Sequence, residues 1–92
     1  MSMDKQFKAA DLLRAFQWIY DHGTPAQDND GRNYGPVKAS VGFDGYTVTL
    51  ANSHAAVTVN FHNTLVFSTH DKDALESLHR DIDAVAEAAS SN

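Results

Sequence analysis

The sequence predicts an α+β fold. The expected architecture is a two-layer sandwich in the order α-β-β-β-β-α, with a four-stranded antiparallel meander carrying both helices on one face. Three observations predict it. Residues 37–68 alternate apolar and polar with period two. Short turn signals interrupt that alternation at three places. On either side lies a stretch whose apolar residues recur every three to four positions. One apolar sheet face and two apolar helix stripes are most simply buried against each other.

The first helix is expected over residues 4–22, with Asp4 as its cap, Gly23 as a left-handed stop and Pro25 preventing resumption. Ala9, Leu12, Leu13, Phe16, Ile19 and Tyr20 form the stripe expected to face the sheet. Phe7 and Trp18 project nearly opposite that stripe at about 100° per residue. A tryptophan on an outer face wants a cover. The candidates are the chain's own following loop and a second protein.

Residues 23–36, GTPAQDNDGRNYGP, read as a loop. Asp28 and Asp30 before Gly31 resemble part of a calcium loop. Aligned on that glycine, however, the first ligand position is Ala26 and the bidentate acid position is Val37, so the ligand set is incomplete. Tyr34 is expected to anchor the loop near Trp18.

The strands follow from their turns. Asp44-Gly45 is the preferred centre of a two-residue hairpin, which sets Phe43 opposite Tyr46, Val41 opposite Val48 and Ala39 opposite Leu50. A loop at Ser53-His54 sets Leu50 opposite Val57, Val48 opposite Val59 and Tyr46 opposite Phe61. A three-residue loop, His62-Asn63-Thr64, sets Phe61 opposite Leu65 and Val59 opposite Phe67, with a left-handed residue expected at Asn63. The other face carries Thr47, Thr49, Thr58, Asn60 and Val66, with Lys38 its one charge. It is expected to be an interaction surface, together with Phe7 and Trp18: uncharged, flat and easily dehydrated. The fourth strand, Leu65–Ser68, has neither charge nor proline to blunt its edge, which invites strand-to-strand dimerisation.

The second helix is expected over residues 72–89, capped by Thr69 or Asp71, with Leu75, Leu78, Ile82, Val85, Ala86 and Ala89 as its stripe. Its acidic first turn suits the helix dipole.

Ninety-two residues make one domain with a modest core. The chain has no cysteine, so it forms no disulfide and performs no thiolate chemistry. A net charge of −5 with scattered basic residues argues against nucleic-acid partners and anionic membranes. No segment approaches the roughly 20 apolar residues of a membrane helix, and no signal-peptide core precedes Lys8. A cytoplasmic location is expected.

Five histidines raise the question of metal. His62 lies at the far end of the meander from His54 and His70, roughly 20 Å away. The best ligand set is therefore His54, His70 and Asp71 with the acidic loop of Asp28 and Asp30. No nucleophile elbow, phosphate loop or zinc-helix motif is present, and no cofactor is implied. The leading functional expectation is a non-enzymatic interaction module, binding a second copy of itself or another protein. The alternative is a small-ligand or metal-binding domain using the 23–36 loop with His54 and His70.

Phe43-Asp44-Gly45-Tyr46-Thr47-Val48, Phe61-His62-Asn63 followed by Phe67, and His22-Gly23 after a helix together resemble a small uncharacterised bacterial family, a domain of unknown function. The resemblance covers most of the chain. It implies a bacterial cytoplasmic protein and carries no activity.

Overall fold

The computed structural model describes residues 7–25, 31–42, 45–60 and 64–90. Helix α1 spans Ala9–His22 and helix α2 spans Lys72–Ser90. Between them lie strands β1 (Thr24–Pro25), β2 (Arg32–Tyr34), β3 (Val37–Val41), β4 (Val48–Ala51), β5 (Ala56–Val59) and β6 (Leu65–Phe67). They form one antiparallel sheet in sequence order. The α+β reading holds, but the sheet has six strands rather than four.

The two extra strands come from residues 23–36, expected to be a loop. They are too short for alternation to show. Their signal lies in the turn that follows β2. Tyr34 pairs with Val37 across Gly35-Pro36. Gly35 has φ +57°, and proline holds φ near −65°. Those signs suit a type II′ hairpin turn and exclude type I′. β1 lies at the sheet edge, where the missing proline N–H of Pro25 is tolerated.

The first two registers of the meander are as expected. Ala39 pairs with Leu50 and Val41 with Val48. Leu50 pairs with Val57 and Val48 with Val59. Gly45 takes φ +76°, the positive value its turn requires. The third hairpin is shifted by two residues: Phe67 pairs with Val57 and Leu65 with Val59. Its closing bond runs from Asn60 N–H to Thr64 O at 2.8 Å. A two-residue shift leaves every side chain on its original face, so alternation is blind to it. The local anchors differ in the two registers. Here Ala56 N–H donates to Ser68 Oγ at 2.9 Å, and Phe67 meets the Phe7 ring edge-on at 5.0 Å. The pairings expected for Phe43 and Phe61, and the backbone expected at Asn63, lie outside the described residues.

α1 departs from its expected start and orientation. Lys8 is extended, with φ −119° and ψ 130°, so the helix does not reach back through Phe7 and Lys8. Asp4, its expected cap, lies outside the described residues. The buried residues are Leu12, Ala15 and Ile19, while Leu13 is 40% exposed. At 100° per residue the buried sector is turned by about 70° from the expected stripe. The cause is α2, against which α1 packs more extensively than against any strand. Ala15 on this sector is fully buried.

Gly23 does not stop α1 in a left-handed conformation: it is extended, at φ −80° and ψ 174°. Its smallness serves a close approach instead. A Cβ there would lie 2.5 Å from Asn33 O and 2.6 Å from Ile19 O. β2 thus crosses directly against the end of α1.

α2 follows its expected stripe, with Leu75, Leu78, Ile82, Val85 and Ala86 buried. Thr69 Oγ1 accepts the Asp71 N–H at 3.1 Å, and Asp71 Oδ1 accepts the Asp73 N–H at 3.0 Å. Leu12, Ile19, Val37, Leu50, Val57 and Leu78 form the innermost core between the helices and one sheet face. Each such side chain stabilises the fold by roughly 1.5–3 kcal/mol. The cover ends before the β3–β4 turn: Val41 is 40% exposed and Tyr46 74%. Both were expected in the buried face.

Candidate interaction surface

The sheet face turned away from the helices is built from one residue per strand in each row. Ser40, Thr49, Thr58 and Val66 are consecutive cross-strand partners on β3 to β6. Thr49 Oγ1 and Thr58 Oγ1 hydrogen-bond to each other at 3.0 Å. Ala51 and Ala56 pair in the neighbouring row. Lys38 remains the single charge among the described residues of these strands that share this face. Thr47 and Asn60 are half-buried at the far end, and Val66 is 50% exposed.

Of the two aromatic residues assigned to an outer helix face, Phe7 lies in the core and Trp18 is covered in part from within the chain. Phe7 is buried, wedged edge-on between Phe67 of β6 at 5.0 Å and His79 of α2 at 5.1 Å. Because it precedes the helix, helical periodicity does not govern where it points. Trp18 is half-buried and packs against the core. His22 stacks on it at 3.7 Å between ring centroids, and Tyr34 of β2 meets it edge-on at 6.3 Å. The cover of Trp18 is therefore the β1–β2 hairpin. The Trp18 Nε1 proton is buried and finds no acceptor among the described residues. Arg32, beside Tyr34 in the same strand, holds the hairpin down. Its guanidinium lies 5.8 Å from the Tyr20 ring centroid and donates to Gly23 O at 3.5 Å.

Among the described residues, His54, His70 and Asp71 form no group placed to hold an ion. His54 and His70 are exposed, and the Asp71 carboxylate is engaged as the cap of α2. Asp28 and Asp30 lie outside the described residues. Among the described residues no group of three His, Asp or Glu side chains is placed to hold an ion. A shallow cavity between α1 and α2, lined by Phe7, Lys8, Asp11, His79 and Asp83 among others, has a volume of about 10 Å³. That admits about one water molecule.

One polar constellation escaped the sequence reading. Asn52 Oδ1 accepts the backbone N–H groups of His54 and Ala55, both at 2.9 Å. Its Nδ2 donates to Asp81 Oδ2 at 2.9 Å and to Ser77 Oγ at 3.2 Å on α2. An asparagine just before a Ser-His turn was the available signal, since asparagine side chains close turns on their own backbone. Its geometry makes it a strut between the β4–β5 turn and α2.

A family described as protein of unknown function (DUF3081) matches residues 7–92. The chain belongs to this family. The DUF3081 match begins at Phe7, the ring that closes the core between β6 and α2. No curated protein matches the chain, and no solved structure does. Among the described residues no helix is long and apolar enough to cross a membrane.

Proposed function

We propose that this DUF3081 chain is a small non-enzymatic interaction module whose contact surface is the outer sheet face. A bacterial cytoplasmic setting belongs to the same reading and follows from the family resemblance in the sequence. The observation that carries it is the Ser40–Thr49–Thr58–Val66 row, an uncharged strip across four strands. Solvated sheet faces ordinarily carry charges that are costly to dehydrate. Here one of the Thr49 and Thr58 hydroxyls donates to the other, so covering them leaves a single hydroxyl proton for the partner surface to accept. The occupant is a second protein surface of similar flatness, from another protein or another copy of this chain.

The test compares what immobilised wild-type protein and Thr58→Lys retain from a cell extract, with thermal unfolding recorded for both. A protein bound by the wild type and lost from an equally stable Thr58→Lys supports the reading. Identical retention by both overturns it.

A further inference from the structure

β6 ends the sheet, and its backbone bonds define what it offers there. Asn60 N–H donates to Thr64 O, and Ser68 N–H donates to Ala56 O at 2.9 Å. Ladder bonds in an antiparallel pair recur at every second residue. Thr64, Val66 and Ser68 therefore turn their backbone groups toward β5, while Leu65 and Phe67 turn theirs outward. No described strand lies on that side. The opposite edge is different: β1 has two residues, and Pro25 has no N–H to give. β6 has neither proline nor charge, the usual protections of an edge.

We propose that β6 docks antiparallel against β6 of a second copy of this chain, on a twofold axis through Val66. This goes beyond the interaction reading above: it places a contact at the sheet edge rather than on the outer face. The outward groups are self-complementary, a match that a second copy meets. Leu65 and Phe67 flank Val66 symmetrically, so on that axis Leu65 faces Phe67 of the second copy, and the reverse. Each facing pair exchanges two backbone hydrogen bonds, four in all, and neither residue keeps an unpaired outward group. Leu65 and Phe67, both half-buried, extend each other's apolar layer on the helix side. Val66, 50% exposed on the other face, meets its own copy. A three-residue edge buries far less than the roughly 800 Å² per partner of a standard interface, so the association is weak and concentration-dependent.

The chain has no cysteine, which permits a clean test under mild oxidation. At a non-hydrogen-bonded antiparallel pair the two Val66 Cα atoms lie about 4.5 Å apart, within disulfide reach. Thr58, one strand further in on the same face, lies roughly 14 Å from its mate, at about 4.8 Å per strand. Val66→Cys should give a covalent dimer, twice 10.1 kDa, at concentrations where Thr58→Cys stays monomeric. Unoxidised wild type should gain mass with concentration in light scattering, and Val66→Lys with an unchanged circular dichroism spectrum should not. A dimer from Thr58→Cys but not from Val66→Cys overturns the edge pairing and leaves the outer face as the contact. Equal cross-linking of both, or of neither, overturns the edge pairing; the extract comparison then judges the interaction reading by itself.

Discussion

Asn52 Nδ2 lies 2.9 Å from Asp81 Oδ2, and this bond ties the turn between β4 and β5 to the middle of α2. The same side chain accepts two backbone N–H groups of its own turn. One residue thus fixes both the turn and its distance from the helix layer. Asn52→Ala removes all four bonds and leaves the Asp81 carboxylate without this donor. The expected loss is about 2 kcal/mol. In a chain of this size it appears as a fall of roughly 8–16 °C in Tm by differential scanning calorimetry. An unchanged Tm would mean that solvent replaces the strut.

The rotation of α1 is testable by two substitutions that the expected and observed faces rank oppositely. Ala15 has no exposed surface, whereas Leu13 is 40% exposed. Ala15→Leu should cost about 1–3 kcal/mol by overpacking. Leu13→Ala should cost less than the 2–5 kcal/mol of a core truncation. Urea unfolding of both variants decides between the two helix faces; a larger loss from Leu13→Ala would restore the face read from periodicity.

Two glycines bracket the extra hairpin for different reasons. At Gly23 an added methyl meets Asn33 O at 2.5 Å, while at Gly35 it meets open space but keeps φ +57°. Gly35→Ala should cost roughly 1–2 kcal/mol for its left-handed backbone. Gly23→Ala must push β2 from the end of α1 and should cost more. Guanidinium midpoints of the two variants give the order.

Tyr34 covers the edge of Trp18. Tyr34→Ala should shift Trp18 emission to longer wavelength in a chain that remains folded, because water reaches the indole. Dilution of the wild type should leave that emission unchanged, since the cover belongs to the same chain. A red shift on dilution would place an intermolecular contact at α1.

How much of this was legible varies by element. The Asp44-Gly45 signal and the period-two pattern of Val37 to Val59 carried two registers and most of the buried face, because hairpin turns and pleats are local. The stripe of α2 was legible for the same reason, and its cap was narrowed to Thr69 or Asp71. The outer row of Thr49, Thr58 and Val66 followed from the same parity. Phe7 was misplaced because its position was inferred from a helix face, whereas it precedes the helix; the packing of Tyr34 near Trp18 was legible.

The sequence by itself determined what neighbouring residues can settle: the turn centres, the two faces of the meander, and one helix. Tertiary structure alone decided the β1–β2 hairpin, the turn of α1 toward α2, and the two-residue shift of β6. Each depends on what the element packs against. The three-residue β2 forms because β3 presents it a ladder, and the two-residue β1 pairs with β2 in turn. A helix between a sheet and another helix has two surfaces to satisfy, so its buried sector is a compromise that one stripe does not encode. A shift by two preserves alternation, so contacts distant in sequence, such as Phe7 on Phe67, can distinguish registers that the pattern cannot.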